Sequence, residues 1–178
     1  MKKLDKSNIK AITPDKIDDF TKVYEVFIEA PYYEAWTKKM IQEEYASLSK
    51  NGHIYGYYLN NECIGLVTFR PMRLNDNHPV HYEHSEKVAY LADLAVLKNH
   101  RRKGVGTALM QYALDVMKDE GFEIAYMKTL EIGKSMSYNI AVKSGFKLLE
   151  GIKSVDKMER VIKERNEEDI KIYLEKQL

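Results

Sequence analysis

A nearly continuous apolar run, Val88 to Leu97, is followed within a few residues by a basic, glycine-containing turn and an amphipathic segment. The run reads VAYLADLAVL, and its lack of alternation is typical of a central strand covered on both faces. After the turn, apolar side chains recur at helical spacing, at Val105, Leu109, Tyr112, Ala113 and Val116. A buried strand joined to an amphipathic helix commits this part of the chain to a layered α/β architecture.

The segments on both sides of this unit alternate between strand and helix patterns. On the N-terminal side, the spacing predicts an edge strand over 9–13, helices over 13–30 and 32–52, and a hairpin over 53–72 that turns at Asn60-Asn61. On the C-terminal side, it predicts a strand over 122–130, a short helix over 133–145, strands over 146–155 and 157–165, and a terminal helix over 166–178. The polar stretch 73–87 is expected to be a surface loop. These patterns indicate one mixed α/β domain.

Composition limits the classes of function. The 178 residues suffice for one domain, and 28 lysines and arginines nearly balance 27 aspartates and glutamates, for a net charge of +1. A general nucleic-acid or membrane binder would be strongly basic, so an anion site must be local. Cys63 is the only cysteine, which excludes an internal disulfide and favours a buried packing role in a reducing cytoplasm. No apolar run approaches the ~20 residues of a membrane span.

The turn before the amphipathic helix combines cations with small residues, at Arg101, Arg102, Lys103, Gly104 and Gly106. The first N–H groups of a helix have no intrahelical acceptor, and the helix dipole makes that end positive. Glycine lets an anion approach these N–H groups, and the cations add charge-assisted contacts. The pattern therefore predicts a phosphate site. The alternative is a solvated basic loop with an incidental glycine turn.

Two common phosphate motifs do not fit this chain. A dinucleotide fingerprint requires a small third residue where Leu109 stands. The Gly133-Lys134-Ser135 segment lacks the first glycine of a nucleotide P-loop, since Lys128 stands in its place.

A third motif does fit. Arg101, Gly104 and Gly106 match [Q/R]-x-x-G-x-[G/A] directly after the DLAV strand, and a short helix ending in Gly145-Phe146 follows in the expected order. With these features the chain resembles the GNAT acetyltransferase superfamily, from about Ile9 to Val161. The resemblance implies a mixed, mostly antiparallel sheet that is splayed at its middle and has helices on both faces. It places one acetyltransferase domain on 1–178, with a core over about 9–161 and a C-terminal helix or tail over 164–178.

The resemblance also implies acetyl-CoA as the donor. The diphosphate would bind at the turn and first helical residues, Arg101, Arg102, Lys103, Gly104, Val105, Gly106 and Thr107. The pantetheine arm would pair with the backbone of Leu94, Ala95 and Val96. A backbone N–H of Leu94 or Ala95 would polarise the thioester carbonyl.

Two residues are candidates for proton transfer. Asp93 is the one charge within the apolar run, and it is expected to act as the base or to orient the substrate ammonium; alternatively, it is a structural carboxylate bonded to backbone N–H groups. The position that often carries the family's acid tyrosine is Ala141 here, and its usual asparagine is Lys134. Tyr138 is the nearest substitute as the acid. Packing, cofactor contact, or protonation of the thiolate by solvent are the alternatives.

Acceptor contacts are predicted where the helical pattern breaks at Pro31. Tyr32, Tyr33 and Trp36, with Glu34 among them, would suit an amine through cation–π and ionic contacts; packing at a helix corner is the alternative. A second polar cluster holds His78, His81 and His84. An exposed loop is favoured there over a zinc site, so no metal is expected.

Three functions are compatible with these features. The first is an N-acetyltransferase that moves an acetyl group from acetyl-CoA directly to a primary amine of a small molecule or protein, with a homodimer implied by the resemblance. The second is a non-catalytic CoA- or acyl-CoA-binding module of the same fold. The third, a protein that contacts RNA phosphates, requires a broader basic surface than a net charge of +1 provides.

Overall fold

The computed structural model describes residues 5–29, 34–73, 79–130, 136–156 and 169–178. These residues contain a seven-stranded sheet in the order β1-β2-β3-β4-β5-β7-β6. The strands are β1 (Ile9–Ala11), β2 (His53–Leu59), β3 (Glu62–Pro71), β4 (Val88–Val96), β5 (Ile124–Leu130), β6 (Lys147–Asp156) and β7 (Asp169–Gln177). Among these described strands, the β4–β5 pair is the only parallel one. The predicted mixed, mostly antiparallel sheet is therefore confirmed.

Helices cover both faces of the sheet, as predicted. They are α1 (Ile17–Tyr24), α2 (Lys38–Asn51), α3 (Val105–Asp119) and α4 (Met136–Lys143). Leu66 of β3 packs in the cluster with α1 and α2, whereas its neighbour Val67 packs in the cluster with α3. Because successive side chains of a strand point to opposite faces, α1 and α2 lie on one face and α3 on the other. Of the helices in the part of the chain described above, none combines the length and apolar composition needed to cross a membrane.

Two irregularities in β4 shape the middle of the sheet. Thr68 pairs with Asp93 while Phe69 pairs with Leu91, so Ala92 is the extra residue of a β-bulge. The pairing of β4 with β5 runs from Val88 to Leu91, and beyond it the two strands diverge. The predicted splay therefore begins at the bulge. The prediction that β4 is buried on both faces holds for its first half, whereas Asp93 and Leu94 are only partly buried.

The hairpin turn follows from local chemistry. Asn60 and Asn61 have φ values of 51° and 65°. Asparagine tolerates this left-handed region, and two such residues in succession form the turn that joins twisted antiparallel strands. The hairpin predicted from the Asn-Asn pair is confirmed.

The start of α2 differs from the prediction. The sequence pattern predicted a helix from residue 32, but α2 begins at Lys38 because the Thr37 hydroxyl accepts a hydrogen bond from Met40 N–H at 3.3 Å and caps the helix. The helix predicted over 13–30 is also divided, with short 3-10 turns on both sides of α1.

The predicted C-terminal helix is wrong. Residues Asp169–Gln177 form β7, which lies between β5 and β6 and pairs with both. Ile172 and Leu174 are buried in the cluster beneath α3, and Tyr173 is buried on the opposite face. This alternation with period 2 is that of a β-strand. It was not recognised in the sequence because charged residues lie among the apolar ones. The strand predicted over 157–165 lies outside the described residues.

Candidate active site

The splay between β4 and β5 opens into a cleft of about 300 Å³. Its sheet side includes Arg70, Tyr90, Asp93, Lys128 and Lys171. The opposite side is formed by α1, α2 and the segment between them, with Tyr24, Phe27, Glu34, Trp36 and Glu44. Asp93 and Trp36, two residues singled out from the sequence, therefore line the same cavity. Tyr32 and Tyr33 lie outside the described residues.

Asp93 is held in the cleft by two hydroxyl groups. The Thr68 hydroxyl donates to Asp93 Oδ2 at 2.7 Å, and the Tyr24 hydroxyl donates to Asp93 Oδ1 at 3.3 Å. The backbone N–H of Asp93 donates to Thr68 Oγ1 at 3.1 Å. If Asp93 had the alternative role of a structural carboxylate, backbone N–H groups would be expected to donate to it. The donors in the structure are hydroxyl groups instead.

The surroundings of Asp93 favour its neutral form. Burial raises the pKa of Asp93 to about 7; the Thr68 hydrogen bond opposes the rise, and the negative charges of Glu44 and Glu34 add to it. Burial and the nearby Asp93 charge raise the pKa of the Tyr24 hydroxyl well above its usual range, so this group stays a donor. A carboxyl that titrates near neutral pH can take up and release a proton under ordinary conditions.

This carboxyl is expected to make stability depend on pH. Since its pKa is about 7 in the native state and about 3.9 when unfolded, the native state binds more protons between these values and loses stability as the pH rises through them. Asp93→Asn should therefore raise the Tm at pH 8 and lose this advantage near pH 4. Each kcal/mol corresponds to about 2–4 °C for a chain of this size. The exposed Asp119→Asn serves as the control in thermal unfolding; equal shifts in both variants would contradict the prediction.

An aromatic wall with a fixed carboxylate faces Asp93. The Tyr24 ring makes edge contacts with Phe27 and Trp36, at centroid distances of 4.9 and 5.0 Å. Trp36 Nε1 donates to Glu34 Oε2 at 2.6 Å. Aromatic rings and carboxylates together form an environment that attracts organic cations.

The turn before α3 has the backbone shape of an anion site. Gly104 is the N-cap of α3 with φ of 90°, and Arg102 has φ of 60°. Left-handed residues within such a turn direct successive N–H groups into a concave surface. Gly106 also has a packing role, because a Cβ there would lie 2.9 Å from Ile140 Cδ1 of α4.

Arg101 turns back toward β4. Its Nε donates to the Val96 carbonyl at 3.0 Å. Its Nη2 is buried and, among the residues that the structure describes, has no hydrogen-bond partner. A buried guanidinium nitrogen without an acceptor is costly. It fits an acceptor group supplied by a ligand at this end of β4.

The direction of the β4 backbone distinguishes Leu94 from Ala95, the two residues whose N–H group was predicted to donate to the thioester carbonyl. The N–H groups of Asp93 and Leu97 point toward β3, the latter donating to the Ile64 carbonyl at 2.9 Å. Because N–H groups alternate between the two edges of a strand, Ala95 N–H also points toward β3. Leu94 and Val96 point their N–H groups toward the open edge. The Val96 carbonyl on that edge accepts the Arg101 bond.

The helix that was predicted to carry the acid contributes a different residue to the cleft. Ser137 of α4 lines it, whereas Tyr138 packs against the core beneath α3 and Ala141 is fully buried. The position of Tyr138 gives no support to its role as acid, and that role stays a prediction. Lys134 lies outside the described residues.

The other side chains considered as reactive, His81, His84 and Cys63, do not line the cleft. His81 and His84 are exposed, and His84 Nδ1 lies 3.4 Å from Glu86 Oε1; His78 lies outside the described residues. Cys63 is buried, which raises the pKa of its thiol to about 11.

Sequence reasoning missed Thr68, Tyr24 and Glu44 as parts of the site. Thr68 carried a weak signal as a polar residue within the apolar β3 pattern, but the patterns of Tyr24 and Glu44 are those of ordinary helix residues.

Comparison with known proteins tests the fold and the family resemblance independently of the site geometry. A model of the acetyltransferase (GNAT) family matches residues 20–138. Streptothricin acetyltransferase A of Bacillus subtilis (strain 168) is 29% identical over 105 residues, which are 59% of this chain and 53% of that protein. The chain thus spans about half the length of this relative.

Solved structures share the fold. A ribosomal-protein-alanine N-acetyltransferase from Brucella melitensis has a TM-score of 0.75 at 12% identity, with 96% of this chain and 99% of that chain covered. The PaiA N-acetyltransferase from Thermoplasma acidophilum, in complex with coenzyme A, has a TM-score of 0.62 at 15% identity, with coverages of 96% and 98%.

Proposed function

The chain belongs to the acetyltransferase (GNAT) family, and from this premise we propose that it transfers an acetyl group from acetyl-CoA to a primary amine by direct attack. The observation that carries the proposal is the position of Asp93. This carboxyl has a pKa of about 7 and lies where β4 and β5 part, in a cleft lined with aromatic side chains. A base positioned next to the open strand edge would speed direct transfer by taking the proton of the amine.

The donor would be held by backbone groups and cations. The N–H groups of residues 102–107 would bind the diphosphate, with Arg102 and Lys103 adding charge-assisted contacts. The amide groups of the pantetheine arm would pair with the open edge of β4 at Leu94 and Val96. The buried Nη2 of Arg101 offers a further donor at the end of this edge.

The acceptor would need a deprotonated amine. An alkyl ammonium with a pKa of about 10.4 is mostly charged near neutral pH, so we assign its proton to Asp93. As the nitrogen attacks the thioester carbon, Leu94 N–H would donate to the carbonyl oxygen that becomes negative. The C–N bond forms and the C–S bond breaks. The nitrogen then loses its second proton to solvent, and the departing thiolate takes a proton from solvent or from Tyr138.

A second candidate function is a CoA-binding module without turnover. The observation that favours it is Ala141, which stands where many members carry the acid tyrosine and is fully buried here. The two functions differ in what happens to the thioester.

The deciding experiment incubates the chain with acetyl-CoA and a panel of primary amines and measures thiol release. Thermal unfolding with and without CoA is measured in parallel. Stabilisation by CoA together with amine-dependent thiol release is expected. Stabilisation without release from any amine would overturn the enzyme in favour of the binding module. If CoA neither stabilises the chain nor is released as free thiol, both functions are excluded.

A further inference from the structure

The charges that line the cleft are separated in space. Glu34 and Glu44 lie on the side formed by α1, α2 and the segment between them, and Asp93 faces them from β4. Lys128 of β5 and Lys171 of β7 lie on the other side of the parted strands, whereas Arg70 lies on β3, two residues from Thr68 and on the same side as Asp93. Among the described lining residues, the carboxylates thus form an acidic half on the β4 side and the two lysines form a basic half on the β5 and β7 side, with the proposed transfer position between them.

We propose that the acceptor is a primary amine that also carries a carboxylate, a deepening that rests on the proposed function. Its ammonium group lies toward Asp93 and Glu44, and its carboxylate lies toward Lys128 and Lys171. In a cleft that is partly closed to water, charges interact more strongly than they do in bulk solvent. A molecule with opposite charges at its ends complements both halves, whereas a diamine would place one cation against the basic half.

Two charged side chains of the lining are held in fixed positions. The Glu34 carboxylate accepts the 2.6 Å bond from Trp36. The Arg70 guanidinium lies over the Tyr90 ring at 5.1 Å from its centroid. Charges that are oriented before the ligand arrives lose less entropy when they bind it. The arrangement thus favours selection by charge pattern.

The cleft has room for a small acceptor group. At ~30 Å³ for each water-sized group, a volume of about 300 Å³ holds on the order of ten non-hydrogen atoms, and the acetyl thioester requires part of that space. An acceptor of amino-acid size, or the end of a longer chain, fits there.

The test compares amines that differ only in the group at the far end. With acetyl-CoA, 5-aminopentanoate, pentylamine and cadaverine present a carboxylate, a methyl group and an ammonium on the same chain, and 3-aminopropanoate, propylamine and propane-1,3-diamine repeat the series at shorter length. We expect kcat/KM from thiol release to be at least tenfold higher for the better amino acid than for the diamine of the same length. The uncharged amine should fall between them.

Charge reversal on the basic half then assigns the preference. Lys128→Glu should lower kcat/KM for the amino acid at least tenfold and raise it for the diamine, and Lys10→Glu, the same change on the exposed strand β1, should leave the order unaltered. Diamines preferred by the wild-type chain, or the same order in Lys128→Glu, would overturn the proposal while leaving acetyl transfer intact. Thiol release from none of the six amines would overturn the proposed function and the proposal together.

Discussion

Gly104→Asp is expected to abolish the rise in Tm that CoA gives the wild-type chain and to weaken CoA binding by roughly 100-fold or more. Two unit charges about 4 Å apart interact by about 4 kcal/mol at a protein surface, which is enough for such a change. The new carboxylate would lie at the N-cap of α3, where the diphosphate is proposed to bind, and would both repel it and occupy its N–H donors. Calorimetric titration with CoA measures the loss.

Backbone strain must be separated from charge in this experiment. Gly104 has φ of 90°, so any side chain there is strained. Gly104→Asn is the matched control, because asparagine has nearly the shape of aspartate and tolerates the left-handed region better than most residues, but carries no charge. Gly104→Asn should keep a measurable part of the CoA affinity. Equal losses in both variants would mean that shape, and not repulsion of phosphate, explains the effect.

Asp93→Asn is expected to lower kcat/KM for acetyl transfer by about 10²–10⁴-fold, the usual contribution of a positioned base. Asparagine fills the same space and can still accept the Thr68 hydrogen bond, so CoA affinity should change little. In the wild-type chain the base is active when ionised. With its pKa at about 7, kcat/KM should rise about tenfold per pH unit below that value and level off above it.

The pH profile distinguishes a base from a structural carboxylate. The variant should lose the inflection near pH 7, whereas unchanged rates in Asp93→Asn would assign the residue to structure alone. An independent check is Thr68→Val, which keeps the shape of the side chain but removes the hydroxyl that lowers the pKa of Asp93. Its inflection should move to higher pH. A midpoint that stays in place would contradict the role of Thr68 in setting this pKa.

The best-predicted parts of the fold are those governed by local signals. The helix α3 follows from apolar spacing and from glycines at its ends, and the hairpin turn follows from two adjacent asparagines that adopt the left-handed region. The turn before α3 follows from the spacing of Arg101, Gly104 and Gly106, which acts within a few residues; its role as an anion site stays a prediction. In each case the physical cause lies inside the segment itself.

The errors occurred where a distant partner decides the outcome. The segment Asp169–Gln177 is a strand because β5 and β6 supply hydrogen bonds on its two sides. Charged residues next to its apolar positions are compatible with either a helix or an edge, and tertiary pairing overrides such weak local preference. Local spacing also gave no sign that Arg101 bonds the Val96 carbonyl, a contact that depends on how the turn folds back on β4. The role of Arg101 toward the diphosphate stays a prediction.

The sequence by itself determined that a lone carboxylate, Asp93, lies on a buried strand just before the helix α3, which has glycines at its N-terminus. Only the tertiary structure decided what that carboxylate meets. Thr68 of β3 and Tyr24 of α1 donate hydrogen bonds to Asp93, and the charge of Glu44 on α2 raises its pKa. The bulge at Ala92 directs Leu94 N–H to the open edge in place of Ala95 N–H. Residue type and spacing act through short-range backbone geometry, whereas pKa values and open hydrogen-bonding edges arise from strand register and packing between segments far apart in the chain.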